Sequence, residues 1–538
     1  MTGWLDHLII APIVIPLIAG SALILVSDRN RVLEAGIGLA SAILLLALSV
    51  VLLETVDNAD AAAARVYQLG DWPAVFGIVL VLDRFAAMML ALTSILGVAA
   101  LVYSLARWDR KGVNFHALLQ FQLMGLNGAF LTGDLFNLFV FFEVFLAASY
   151  GLALHGSGIA RVKAGLHYIV VNLMASLLFL IGVSMIYGVS GTLNMAHLAA
   201  RIADVPAADR GLLEAGAAIL GVAFLIKAAM WPLGLWLPNT YSAASPPVGA
   251  ILSILSKTGI YVVLRLWLLL FGDAAGQSTG FGESWLLFGG LLTIAFGAIA
   301  VLATQNLTRL AGASVLVSSG TLLAAVGTGH VSVISGALFY LVSSVLGIAA
   351  FFLLVELVDR ERGLGADLLA VTREAYGEDA DDETTQEEVG IAIPAGIAIL
   401  GTGFLACALL LAGLPPLSGF LGKFAILTPL FGLTDPAPPY TSWLLLAAIL
   451  VSSLMTLIAF ARAGINAFWV SPSDTVPKVR VVEIAPIGVL LAMSVALTVQ
   501  AGPVMRYMQA TAQTLQEPRG YVDGVLEGFP AASQRVTP

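Results

Sequence analysis

The chain has 538 residues, 59% of them hydrophobic and only 11% charged, with a formal net charge of −9. Soluble domains carry about 25% charged residues, so a soluble globular protein is excluded. Repeated apolar runs of about 20 residues exclude an outer-membrane barrel, whose strands are ~10 residues of alternating polarity. What remains is an all-α polytopic membrane protein. The single cysteine, Cys407, rules out an intrachain disulfide and a cysteine-held iron–sulfur cluster.

Hydropathy predicts fourteen spans, near 8–26, 32–53, 78–104, 115–133, 135–154, 164–188, 214–238, 247–271, 284–304, 308–328, 331–357, 392–430, 442–461 and 482–502. Met1–His7 carries no Lys or Arg before the first run. That run therefore reads as a retained span with its N-terminus outside, not as a cleaved leader. The twelfth stretch is too long for one straight helix, since its 39 residues (392–430) would reach about 58 Å against a hydrocarbon core of about 30 Å. Leu414-Pro415-Pro416 interrupts it. The tail after Val504 contains Pro, Gly and scattered charge, and suggests no function.

Basic residues decide how the twelfth stretch is counted. As one broken span, it leaves fourteen basic residues on one side: Arg29, Arg31, Arg107, Arg110, Lys111, Arg161, Lys163, Arg309, Arg360, Arg362, Arg373, Arg462, Lys478 and Arg480. The other side has six: Arg65, Arg201, Arg210, Arg506, Arg519 and Arg535. The asymmetry puts the first set in the cytoplasm and both termini outside. Splitting the stretch would weaken the bias. The loop 359–388 has eleven acids against three arginines and reads as a solvated linker. Arg84 and Arg265, near the outer ends of spans 3 and 8, read as structural, paired or snorkelling.

Four ionisable residues lie deep inside spans: Glu143, Lys227, Lys257 and Lys423. Glu143 is about 12 Å into span 5, and Lys257 is about 15 Å into span 8. A lysine at the centre of a span costs roughly 2.5–3.5 kcal/mol on insertion scales. Two of the lysines sit beside helix breaks, Lys227 before Pro232 and Pro238, Lys423 after Pro415 and Pro416. Pro232 frees the carbonyl of Ala228, and Pro238 that of Gly234. One acid and three bases cannot all be neutralised by pairing, so some lysine must be uncharged or solvated. A buried, switchable amine beside a broken helix is the pattern of a proton path.

Pro232-Leu-Gly-Leu-Trp-Leu in span 7 echoes Pro416-Leu-Ser-Gly-Phe-Leu in span 12. The copies are an odd number of spans apart, so they are inverted in the membrane. The histidines form no pair suited to haem. His330 at the mouth of span 11 is a possible relay.

The runs TGDLFNLFVFFEVFLAASYGL (132–152), FLIKAAMWPLGLWLPNTYSAASPPVGAIL (224–252), SKTGIYVVLR (256–265) and AGLPPLSGFLGK (412–423) resemble the antiporter-like subunits shared by complex I, membrane hydrogenases and Mrp antiporters. The GDLFNLFVFFEV form is most similar to the D subunits of Mrp (Pha, Sha) multisubunit sodium/proton antiporters. The resemblance implies fourteen helices with two inverted five-helix repeats and broken helices 7 and 12. The first repeat would span 115–271 and the second 284–463, after N-terminal helices in 1–104 and before a last helix and external tail in 482–538. It implies that Glu143, Lys227, Lys257 and Lys423 form the proton path. Relatives often carry a histidine in span 11, where this chain has Ser343 in FYLVSSVL. A relay there would use water at Ser343, or His330 instead. The implied partners are sibling antiporter subunits, sodium, protons and the bilayer of the cell membrane, with no nucleic acid, metal or cofactor. A proton-pumping subunit of a redox complex and a non-conducting scaffold are the alternatives.

Overall fold

The computed structural model describes residues 6–26, 30–58, 64–72, 77–376, 395–432, 439–468 and 479–526. Arg29, Lys478, Arg535 and residues 377–388 of the acidic stretch lie outside the described residues, whereas 359–376, expected as linker, continue α13 as helix. The chain begins with α1 (Ala11–Leu25) and α2 (Arg31–Asp57), then a hairpin of β1 (Arg65–Gln68) and β2 (Val79–Leu82), then α3 (Arg84–Ser104). Next come α4 (Phe115–Leu131), α5 (Leu135–Leu154), α6 (Ile159–Ser190), α7 (Met195–Ile202), α8 (Ala207–Lys227), α9 (Trp236–Ala243) and α10 (Pro246–Phe271). The remainder is α11 (Glu283–Ala303), α12 (Leu307–Val326), α13 (Val331–Tyr376), α14 (Ala395–Ala412), α15 (Ser418–Leu427), α16 (Tyr440–Phe468), α17 (Val481–Val499), α18 (Ala501–Gln516) and α19 (Arg519–Leu526).

Each predicted apolar stretch falls on a helix or a helix pair. Among the described residues, 11 helices are long and apolar enough to cross a membrane, and Ala11–Leu25 and Ser418–Phe431 are shorter apolar helices. The chain is a multi-pass membrane protein. Its middle is α10, α12 and α13, which are buried nearly all round. Helices such as α2, α6 and α16 turn one apolar face outward, as expected where lipid or other chains cover them.

Two local features depart from the hydropathy reading. Residues 79–82, expected in span 3, form a strand paired antiparallel with 65–68. The Asp83 carboxylate then caps α3 by accepting from the Ala86 amide at 2.9 Å. The tail, expected to do nothing, folds as α18 and α19 back onto the bundle. Tyr507 donates to the carbonyl of Arg84 at 2.7 Å, and Tyr521 lies over the Arg265 guanidinium, 5.3 Å from ring centroid to Cζ. These amphipathic pieces lack the apolar length that reveals a span, so a hydropathy window passes over them.

The two ends of the bundle differ in chemistry. At the Asp83 end, Arg265 of α10 forms a bidentate pair with Asp83, its Nη2 donating at 2.8 Å, and Arg84 approaches Asp57 at 3.8 Å. At the Trp108 end, Arg107, Arg360 and Arg480 gather around Glu356 and Glu483, and Tyr103 donates to Glu356 at 2.8 Å. Lys111 and Arg107 lie against the Trp108 ring, 4.1 and 5.3 Å from its centroid. Burial, then the charges of Arg107, Arg161 and Arg360, hold the Lys111 ammonium below the ordinary lysine value.

Candidate functional site at two interrupted helices

Helix α8 stops at Lys227, not at Pro232. Ala229 takes a left-handed conformation (φ 59°), its amide donates to Ile226 O at 3.1 Å, and the Met230 amide reaches Leu225 O at 3.0 Å. That is a Schellman turn, which satisfies the last carbonyls of a helix internally. Pro232 therefore lies in the non-helical segment 228–235 and frees nothing by itself. Trp231 donates its amide to Thr293 Oγ1 of α11 at 2.9 Å, and the Trp236 indole donates to Ile226 O at 3.1 Å. Pro238 is also differently placed from expectation. It is the third residue of α9, inside the first turn, where helix amides have no intrahelical acceptor and proline costs little.

The second interruption repeats the first. Helix α14 ends at Ala412, Gly413 is left-handed (φ 74°), and the Leu414 amide returns to Leu409 O at 3.0 Å. Counting from Pro232 and Pro416, Ala229 matches Gly413, and the bond 230→225 matches 414→409. Pro415 and Pro416 then lead into α15. Both breaks also contain a cis peptide bond before the matched proline.

The two broken helices run in opposite directions. Gly221 and Gly259 pack α8 antiparallel to α10, through Trp267 and Ala228 respectively. Gly249 lies against Phe352, and Lys257 is linked through Ser319 and its neighbour Ser318 to Ser344, so α13 runs antiparallel to α10. Gly336 against Ala425 and Gly422 against Tyr340 set α15 antiparallel to α13. It follows that α15 is antiparallel to α8. The six-residue echo in the sequence thus marks an inverted structural feature.

Ala229 carries a side chain in a backbone region that disfavours one by roughly 1–2 kcal/mol, whereas its counterpart is glycine. Ala229→Gly is therefore expected to stabilise the purified protein by about 0.5–1 kcal/mol after glycine's greater unfolded freedom is subtracted, read as a raised thermal midpoint. A lowered midpoint would show that the left-handed assignment is wrong.

The four ionisable residues occupy distinct positions along this frame. Lys227 is 5% exposed, and its Nζ has no hydrogen-bond partner among the described residues. It lies 5.1 Å from the Phe142 ring centroid and feels the charge of Glu143. Glu143, on α5, accepts a very short bond from Ser176 of α6 and is only half-buried. Lys257 lies inside α10 with no exposed surface and donates to Ser319 Oγ of α12 at 2.8 Å. Lys423 bends back from α15 to the end of α14. It donates to Ala412 O at 3.0 Å, to Leu411 O at 3.3 Å and to Ser453 Oγ of α16 at 2.8 Å. A cation there meets the negative end of a helix dipole.

None of the three lysines forms an ion pair within 4.0 Å among the described residues. Glu143 acts on Lys227 through its charge and not through a closed salt bridge. Ser343, buried on α13, bonds Ser418 of α15 at 2.7 Å and so lies between Lys257 and Lys423. His330 is exposed just before α13, away from these residues. Sequence reading missed Ser176, Ser319 and Ser453, because a serine in an apolar helix usually just packs, and only a neighbour across helices reveals otherwise.

A mainly helical, multi-pass membrane chain with lysines buried at two oppositely directed helix breaks belongs to the class of membrane ion-transport subunits with inverted interruptions. The family model for "NADH:quinone oxidoreductase/Mrp antiporter, TM" matches residues 132–456, and the chain belongs to that family. It is 58% identical over 540 residues to a probable K(+)/H(+) antiporter D subunit from Rhizobium meliloti (strain 1021), covering 99% of this chain and 100% of the relative. It is 32% identical to a Na(+)/H(+) antiporter D subunit from Alkalihalophilus pseudofirmus, covering 97% of this chain and 100% of the relative. Among solved structures it resembles a chain of the Mrp complex from Dietzia sp. DQ12-45-1b, with TM-score 0.82 and 25% identity, covering 97% of this chain and 100% of that one.

Proposed function

We propose that this chain is the proton-carrying D-type subunit of a multisubunit monovalent cation/proton antiporter. Glu143, Lys227, Lys257 and Lys423 hold and pass the protons. The observation that carries this reading is the Lys227 amine, buried without a hydrogen-bond partner, close to a half-buried carboxylate, at the end of a broken helix. Such an amine is stable only if it can lose its proton or bind water, and both are steps of proton transfer. Moving Glu143 toward Lys227 favours the ammonium, and moving it away favours release. The residues act as carriers and not as catalysts of a covalent step.

The subunit works within an assembly of siblings, as the names of its relatives and the Mrp complex from Dietzia suggest for this chain. Its two inverted units are 115–271 and 284–463, flanked by 1–104 and 482–538. The basic Trp108 end faces the cytoplasm and both termini face outward across the cell membrane. Potassium is the cation exchanged, following the relative that is 58% identical. A second reading, sodium, follows the relative that is 32% identical and the sequence resemblance.

The test is Lys227→Ala in the assembled complex in everted membrane vesicles. Cation-dependent proton movement, followed with a pH-sensitive dye, should fall roughly 100-fold or more, the usual weight of a positioned proton-transfer group. Exchange at the unsubstituted rate would rule out the assigned role. Running the same assay with potassium and with sodium separates the two readings of the cation.

A further inference from the structure

Between Lys257 and Lys423 the interior contains a run of hydroxyls that cross-link four helices. Lys257 donates to Ser319 at 2.8 Å, Ser318 donates to Ser344 at 2.9 Å, and Ser343 bonds Ser418 at 2.7 Å. All five serines are at most 5% exposed. Ser318 and Ser319 are neighbours on α12, and Ser343 and Ser344 are neighbours on α13. Ser418 opens α15, the helix that carries Lys423. Tyr340 lies within hydrogen-bonding reach of Ser318 and Thr321, and its Cβ sits against Gly422, next to Lys423.

Most buried serines here spend the hydroxyl on a carbonyl of their own helix, as Ser314 does with Leu310 at 2.8 Å. The ladder serines reach across to another helix, and Ser344, which accepts from Ser318, also donates to Leu341 O of its own helix at 3.1 Å, a bond that must swing away for a proton to pass. A hydroxyl both donates and accepts, so a row of them can take a proton on one oxygen and release a different one from the next. The two joins within a helix link adjacent residues whose side chains leave the axis about 100° apart, so each join is made by a bridging water.

We infer that the serine ladder Ser319, Ser318, Ser344, Ser343 and Ser418 is the proton connection between Lys257 and Lys423. This rests on the reading of those lysines as proton carriers. In one passage the Lys257 ammonium gives its proton to Ser319 and becomes a neutral amine. The excess proton crosses the hydroxyls, passes from Ser418 over a bridging water to the neutral Lys423 amine, and leaves it an ammonium. Each hydroxyl regains its own composition, and the reverse passage uses the same bonds. The ladder places proton transfer through α13 on paired hydroxyls and leaves His330 outside the route.

The experiment uses the assembled complex in everted vesicles. Two double variants cut the ladder, S318A/S344A between α12 and α13, and S343A/S418A between α13 and α15. Ser314→Ala is the control on the same helix, and Ser343→Thr keeps a hydroxyl. Both double variants are expected to lose at least about tenfold in exchange rate, while Ser314→Ala and Ser343→Thr keep most of theirs. The slowing of exchange in D2O should also change in any double variant with residual activity, which a purely structural role would not produce. Copurification with the sibling subunits checks assembly. Should a double variant fail to assemble, Ser344→Ala is read instead, with at least about threefold loss expected. Unchanged exchange in assembled ladder variants, with Lys257→Ala and Lys423→Ala inactive, overturns the ladder and leaves the lysine reading standing. Unchanged exchange in the lysine variants overturns both.

Discussion

Gly413→Ala is expected to stop exchange nearly as completely as Lys423→Ala, although it removes no charge. A Cβ at position 413 would lie 2.7 Å from Lys423 Cδ and 2.8 Å from its Nζ, in a backbone at φ 74° that already disfavours a side chain. The lysine would have to leave the carbonyls of Leu411 and Ala412, where it meets the negative end of α14, and with them Ser453. Both variants should lower cation-dependent proton movement by roughly 100-fold, because a displaced carrier and a missing one interrupt the same path. The matched position on the other break shows why the effect is local. Ala229 already carries a Cβ, because Lys227 precedes its turn and does not fold back over it. Vesicle exchange near the unsubstituted rate in Gly413→Ala, with the complex intact, would show that Lys423 need not sit at the helix end to act.

Much of this frame could be read from residues alone, for identifiable reasons. Apolar stretches long enough for a bilayer have few alternatives to helix, so the predicted spans fall on helices. A lysine in such a stretch is conspicuous because its burial is costly, and Lys227, Lys257 and Lys423 are all deeply buried. The breaks were legible from proline, but their detail was not. A Schellman turn is set by one left-handed residue, and at Ala229 no glycine announces it. Pro238 looked like a break because proline inside a helix is one, whereas proline in a first turn is not. The ladder was invisible for a different reason. Ser343 and Ser418 are 75 residues apart, and Ser319 lies 62 from Lys257. Pairings at that range come from helix packing, which the linear pattern of a single sequence does not encode. The docking of the tail was hidden likewise, since Tyr521 meets Arg265 only in the folded bundle.

That meeting leads to the largest stability effect expected in the molecule. Arg265 and Asp83 form a bidentate ion pair, nearly closed to solvent, that ties α10 to the start of α3. Tyr261 accepts from Arg265 at 3.1 Å, and the rings of Phe85, Tyr261 and Tyr521 surround the guanidinium. Removing one member of a buried pair leaves the other charge uncompensated, at a cost of about 3–5 kcal/mol. Asp83→Leu should reach the top of that range, because it also removes the cap on the Ala86 amide, worth about 1 kcal/mol. Asp83→Asn keeps the capping oxygen and should cost less. The double variant D83L/R265M, which replaces both charges with apolar side chains, should recover most of the loss, since a buried pair gives little net stability over well-packed carbon. Thermal unfolding of the purified complex, followed by the fraction that stays assembled, measures all three. The decisive comparison is Arg265→Met alone against the double variant. If the single change is as stable as the double, Asp83 is not left stranded by loss of the arginine, and the pair does not hold α3 to α10.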